Sequence, residues 1–164
     1  MTLNIFYLDA SALIKHYSGE PGADNVTALL HLAKAGQIVT TIWTLTESIA
    51  ALKRKHNEGW FSSDEFARIL QQLSIDFEQL HLLKTDTEDA RESVPLILRH
   101  SLNATDALHL RMACKLRSFV AILDAQVVLA AADKRLLRAA KTEGLLILNP
   151  EDATTAQVRA LFTP

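Results

Sequence analysis

The chain of 164 residues holds a single cysteine, Cys114, which excludes an intrachain disulfide and with it the secreted, disulfide-stapled scaffolds. Cys114 lies in the apolar run ALHLRMAC and reads as a buried, inert thiol rather than a nucleophile. Excess charge of either sign is also missing, with 17 Lys+Arg against 19 Asp+Glu. A net charge of -2 excludes a bulk polycation and leaves any nucleic-acid binding to a local basic face. The longest apolar stretch, AILDAQVVLAAA, is interrupted by Asp124 and is shorter than the ~20 residues that span a bilayer. The opening MTLNIFYLDASALIK has no basic leader and no long apolar segment, so no secretory signal is expected. With only 5 glycines and 4 prolines, no linker, repeat or low-complexity tract divides the chain, and one domain is expected. The remaining balance, 49% hydrophobic and 22% charged, is that of a soluble cytoplasmic protein with a real core.

Apolar runs and breakers outline alternating strands and helices. Strands are expected at 3–8, 37–41, 81–84, 126–131 and 145–148. Helices are expected from Asp9, from the GluProGly break at 20–22 to about Ala33, and over 43–57. Further helices should cover about 62–80 behind a SerSerAspGlu cap, 85–99 with Pro95 as a kink or break, 103–117 and 133–143. Strands that are apolar throughout, rather than alternating, indicate a parallel sheet covered on both faces. In such α/β sheets the functional site lies beyond the carboxyl ends of the strands.

Asp9 and Asp133 stand just after two of these strands, and Asp106 in the first turn of the NATDALHL helix. Each taken alone reads as a helix cap or a first-turn acid stabilised by the helix dipole. Their common position at one sheet edge, if the first and fourth strands are neighbours, turns three caps into a candidate cluster. Asp106 shares a helix face with His109, Leu110, Ala113 and Arg117, on a helix apolar most of the way round; His109 reads as a packed, hydrogen-bonded histidine. Glu47 is weaker, because Ile42, Leu45, Ile49 and Leu52 form the core stripe of its helix and place it on the solvated side. Two carboxylates ~4 Å apart repel by about 4 kcal/mol at an effective dielectric of ~20, so a converged cluster must take up protons or hold a cation. Oxygen donors without Cys or clustered His favour Mg²⁺ or Mn²⁺ over Zn²⁺. An ion of this kind keeps bound water that carboxylates can orient against a phosphodiester. Lys53, Arg54, Lys55 and His56, and likewise Lys134, Arg135, Arg138 and Lys141, read either as solvated helix charges or as RNA-backbone contacts.

YLDASALIKHYSGEPG, TLTESIAAL, NATDALHL and AADKRLLRAAKTEGLLILNP resemble, in order and over nearly the whole chain, the motifs of PIN-domain proteins. More narrowly they resemble the VapC-type toxins of type II toxin–antitoxin pairs. The resemblance implies a three-layer α/β/α fold with a five-stranded parallel sheet, a PIN domain over 1–150, and a tail over 151–164 packed on it or extending from it. It implies a Mg²⁺- or Mn²⁺-dependent endoribonuclease, a homodimer, and silencing by a cognate antitoxin protein. The family's acids fall on Asp9, Glu47, Asp106 and Asp133, with Ser11 as the hydroxyl partner of Asp9; this reverses the periodicity reading of Glu47. Asp9 and Asp106 are the implied direct metal ligands, with Glu47 and Asp133 completing the cluster. Asp124 is a rival for the last position, but Asp133 follows its strand directly as the family pattern does. Two other classes compete: a non-catalytic interaction module on the same fold, and an aspartyl-phosphate phosphatase. The second is disfavoured because Ser11 stands where such enzymes carry another Asp.

Overall fold

A computed structural model describes residues 3–162. The first apolar run forms strand β1 (Leu3–Leu8), and β2 (Ile38–Thr41), β3 (His81–Leu83), β4 (Ala125–Ala130) and β5 (Leu146–Leu148) complete one sheet. The strand order is β3-β2-β1-β4-β5 and every pair is parallel. β1 and β4 pair over their whole length, from Leu3 opposite Ala125 to Leu8 opposite Ala130. The chain walks outward from β1 to β3 and returns to β4 on the other side, so the order reverses between β1 and β4. That is the crevice where an open α/β sheet binds its ligand.

The helices are α1 (Ala10–Leu13), α2 (Lys15–Ser18), α3 (Ala23–Leu32), α4 (Ile42–Asn57), α5 (Ser63–Phe77), α6 (Thr87–His100), α7 (Ala104–Val120), α8 (Lys134–Thr142) and α9 (Thr155–Ala160). Alternation along β1 divides them into two layers. Tyr7 points into the core under α6, α7 and α8, while Phe6 and Leu8 point into the core under α1, α3, α4, α5 and α9. All three side chains are fully buried. A one-residue slip of β1 would exchange these faces, so burial of both sets holds the register. The expected three-layer α/β/α architecture with a five-stranded parallel sheet is therefore present.

Several elements depart from expectation. The helix begun at Asp9 is two short pieces, α1 and α2, broken at Ile14 and ended by Gly19 in the left-handed region (φ 65). α6 continues through Pro95. Its start is held by a reciprocal capping box between Asp86 and Asp89, and its length lies along α7, which offsets the hydrogen bond lost at the proline. The tail contains α9, capped by Thr154 and packed on α3 with Val158 fully buried. The buried amide of Asn25 donates to the carbonyls of Pro150 (2.9 Å) and Ala153 (2.7 Å), stitching this segment to α3.

The core stripe of α4 also requires correction. Ile42 and Ile49 are 48% and 40% exposed, whereas Thr44, Ser48 and Leu52 are buried. Small side chains let α4 approach α1 and β1 closely, and the hydroxyls of Thr40 and Thr44 meet the Leu8 carbonyl at 2.6 and 3.5 Å. Close approach, rather than hydropathy, selects the inward face. The helix is thereby rotated, and Glu47 is half-buried instead of solvated.

Candidate metal centre

Asp9 is the first residue beyond β1, where its N–H still donates to the Ala130 carbonyl (3.0 Å) and extends the ladder with β4. It caps α1, and its Oδ2 accepts from the N–H (2.9 Å) and hydroxyl (2.5 Å) of Ser11. The Ser11 oxygen in turn accepts from the N–H groups of Ala132 (2.9 Å) and Asp133 (3.3 Å), just past β4. One hydroxyl thus ties the carboxylate after β1 to the loop after β4, and leaves Asp9 Oδ1 facing the crevice.

Asp133 caps α8 through one oxygen, Oδ1, which accepts from the N–H groups of Arg135 (2.7 Å) and Leu136 (3.0 Å). Its second oxygen takes no part in the cap. Asp106 lies in the first turn of α7, where Asn103 caps the helix and also donates its amide to Asp106 Oδ2 (2.8 Å). The Asp106 carboxyl is pushed up to about 6 by burial first, and then by the negative charges of Asp9, Asp133 and Glu47. The other three sequence-expected acids are thus all near enough to bear on Asp106. Asp124 lies elsewhere. It precedes β4, with its carbonyl accepting from Leu3 N–H (3.3 Å), at the amino edge of a six-residue strand. That places it ~20 Å from the carboxyl edge.

Glu47 reaches the site from α4, in the helical layer opposite α7. Its Oε2 lies 2.6 Å from His109 Nε2, and the other ring nitrogen lies 2.8 Å from the hydroxyl of Tyr7. His109 is almost fully buried, and burial alone pulls its pKa down. The Glu47 hydrogen bond and the charges of Asp9, Glu47 and Asp106 outweigh that penalty, so the ring titrates above its ordinary value. Tyr7 is buried and its phenol is pushed well above its usual range, so it remains a neutral hydrogen-bonding partner.

Among the described residues, Asp9, Glu47 and His109 offer ligand atoms that all lie within 4.8 Å of one another. Asp106 and Asp133 stand outside this tight triplet. Sequence reasoning placed His109 on the Asp106 face and inside the fold but did not connect it to Glu47. The i, i+3 spacing from Asp106 was the available signal. Carboxylate oxygens are the donors that hard divalent cations take, and burial together with three neighbouring carboxylates raises the Asp106 pKa. The cluster of two carboxylates and an imidazole offers donors for a divalent cation.

Fold and donor set together define an α/β/α domain with a candidate divalent-cation site at the carboxyl edge of its sheet. The chain belongs to the PIN domain family, whose pattern matches residues 6–142. PIN domains are generally metal-dependent nucleases. Among solved structures the chain is similar to PAE2754 from Pyrobaculum aerophilum, with 18% identity and a TM-score of 0.64 over 98% of this chain and 99% of that one. At that identity the likeness concerns the fold. No curated protein matches the chain in sequence. Among the described residues, no helix is long and apolar enough to cross a membrane.

Proposed function

We propose that this chain is a Mg²⁺- or Mn²⁺-dependent endoribonuclease that hydrolyses RNA phosphodiester bonds, acting in the cytoplasm as the VapC-type toxin of a toxin–antitoxin pair. The observation that carries the catalytic part is the Ser11 hydroxyl, which bonds the Asp9 carboxylate and the backbone ahead of Asp133 at once. Such a tie holds acids from two strands in fixed relation before any ligand arrives, which is what preorganised charge stabilisation needs. Asp9 and Asp106 are assigned as direct ligands, with Glu47 and Asp133 completing the set. The cation, when bound, supplies Lewis-acid charge for the phosphodiester and lowers the pKa of water. Glu47 Oε2 is hydrogen-bonded to His109 Nε2, and that bond orients the carboxylate as acceptor for the proton of attacking water.

A toxin needs a partner that silences it. An apolar groove of about 310 Å³, lined by Trp43, Val94, Ile97 and Leu108, opens beside the helix turns that carry Glu47 and Asp106, and supports docking of a cognate antitoxin protein. Exposed Ile42 and Ile49 on α4 extend the apolar surface available to a homodimer.

Cleavage of single-stranded and structured RNA with Mg²⁺ is the deciding assay. Asp9→Asn should abolish cutting with the circular-dichroism spectrum unchanged, and retained cutting overturns the assignment. For the toxin role, expression should arrest growth, and co-expression of a short protein encoded next to this one should relieve it. Growth unaffected by the active enzyme overturns that role. A monomeric mass at high concentration on size exclusion overturns the dimer.

A further inference from the structure

α8 carries Lys134, Arg135, Arg138 and Lys141 and no acid between its capping Asp133 and Glu143 beyond its end. Among the described residues none of these four cations has a carboxylate within ion-pair distance, in a chain where acids outnumber bases. Lys134 and Arg135 also occupy the first turn, where the helix dipole disfavours positive charge. For Lys134, which has no carboxylate partner among the described residues, a local rule broken without a structural gain points to a ligand.

Beside this helix lies a polar pocket of about 400 Å³, lined by Arg99, His100, Ser101, Arg135, Arg138 and Thr142. Glu143 is the acid paired there, and it takes Arg99 and His100, each at 2.7 Å. Arg135 donates to the Ser101 carbonyl, which fixes its guanidinium at the pocket wall. Arg138 is exposed, with no carboxylate partner among the described residues. The pocket adjoins the acidic crevice along two stretches of chain. Arg135 is two residues past Asp133, whose carboxylate its own N–H bonds, and Ser101 is two residues before Asn103, the cap that holds Asp106.

We propose that this pocket is a phosphate subsite, where Arg99, Arg135 and Arg138 hold a backbone phosphate of the RNA strand beside the scissile position; the proposal rests on the reading of this chain as acting on RNA. Gathered carboxylates repel a polyanion, so a strand needs cations close by to approach the crevice. Guanidinium forks match phosphate oxygens in pairs, and of the three arginines lining the pocket Arg138 is the one without a carboxylate or carbonyl partner among the described residues.

The test is binding of a fluorescein-labelled single-stranded RNA across a range of KCl concentrations, with EDTA present so that no cleavage occurs. Losing one phosphate contact should flatten the slope of log affinity against log salt by about 0.7. At ~0.1 M salt that corresponds to an affinity loss of about five-fold. Arg138→Ala should show both changes, and Arg68→Ala, which removes the same charge from α5 in the opposite layer, should show neither. An unchanged slope in Arg138→Ala overturns the subsite, as does an equal loss in Arg68→Ala, which would mean diffuse charge alone. Parallel Mg²⁺ cleavage assays of the unaltered chain separate the two claims. Cutting without a slope change sinks the subsite only, whereas a slope change without cutting supports the subsite and sinks the nuclease reading.

Discussion

His109 Nε2 lies 2.6 Å from Glu47 Oε2, and this bond joins the helical layers on opposite faces of the sheet at its carboxyl edge. The imidazole is a neighbour of the crowded acids whose protonation they favour. Burial opposes its charge, but the Glu47 bond and the surrounding carboxylates hold its pKa above the ordinary 6.5. Stability from this pairing is present below 6.5 and lost as pH rises through the folded-state value. Nitrogen-15 NMR of the metal-free protein should show the ring titrating above 6.5, and saturating Mg²⁺ should lower that midpoint by taking over the neutralising role. A midpoint indifferent to Mg²⁺ would separate His109 from the metal centre.

Ser11→Ala removes the donor to Asp9 and the acceptor of two loop N–H groups together. Leaving those groups unpaired should cost about 1–3 kcal/mol in urea unfolding. Loss of the orienting bond should weaken Mn²⁺ binding by roughly 10–100-fold, as seen for outer-shell partners of metal ligands. Ser11→Thr, which keeps the hydroxyl, should recover most of both. Equal Mn²⁺ affinity in Ser11→Ala would show that Asp9 needs no such support.

The Asp106 carboxyl is held at about 6 against its ordinary 3.8. A raised acid favours the protonated folded state, so its stabilisation is complete below 3.8 and disappears as pH rises through about 6. Asp106→Asn mimics the protonated form. The metal-free variant should match the parent only below pH ~3.8, pull ahead as pH rises, and exceed it by about 1–2 kcal/mol near pH ~8, where solvent screens the half-exposed group. A divalent cation bound by Asp106 would compete with this proton, so Mg²⁺ affinity should climb as pH rises through about 6. Stability curves for parent and variant that stay parallel across pH would contradict the charge crowding.

Gly22 has φ +90, and a Cβ there would stand 2.7 Å from the Pro150 backbone. Gly22→Ala therefore combines left-handed strain with overlap against a segment that cannot yield as a side-chain tip would. A loss of about 2–4 kcal/mol is expected, with metal affinity retained in whatever fraction stays folded. A thermal midpoint within a degree of the parent would mean that residues 149–153 move aside at no cost.

Strand identity was readable because it is a local property. Five short apolar runs separated by helical patterns imply a covered parallel sheet, and residues 3–8 and 145–148 fell within a residue of β1 and β5. The positions of Asp9 and Asp133 just after β1 and β4 followed from the same runs, as did the capping chemistry at Ser62. The rotation of α4 was not readable, since hydropathy points Ile42 and Ile49 inward while Thr44 and Ser48 allow the tighter contact with α1. α9 escaped because six residues give too little periodicity, and its place depends on Asn25, more than a hundred residues earlier.

Neighbouring residues along the chain thus suffice for the α/β class, the element order and the candidate acids at the ends of strands, because propensity, capping and apolar runs act over a few residues. Which acids share an electric field, that His109 joins Glu47 rather than a neutral partner, and that Ser11 spans two strands depend on contacts 62 to 122 positions apart. Such contacts exist only once the strand order sets β1 beside β4 and packing rotates α4. Short-range preferences carry no information about either event.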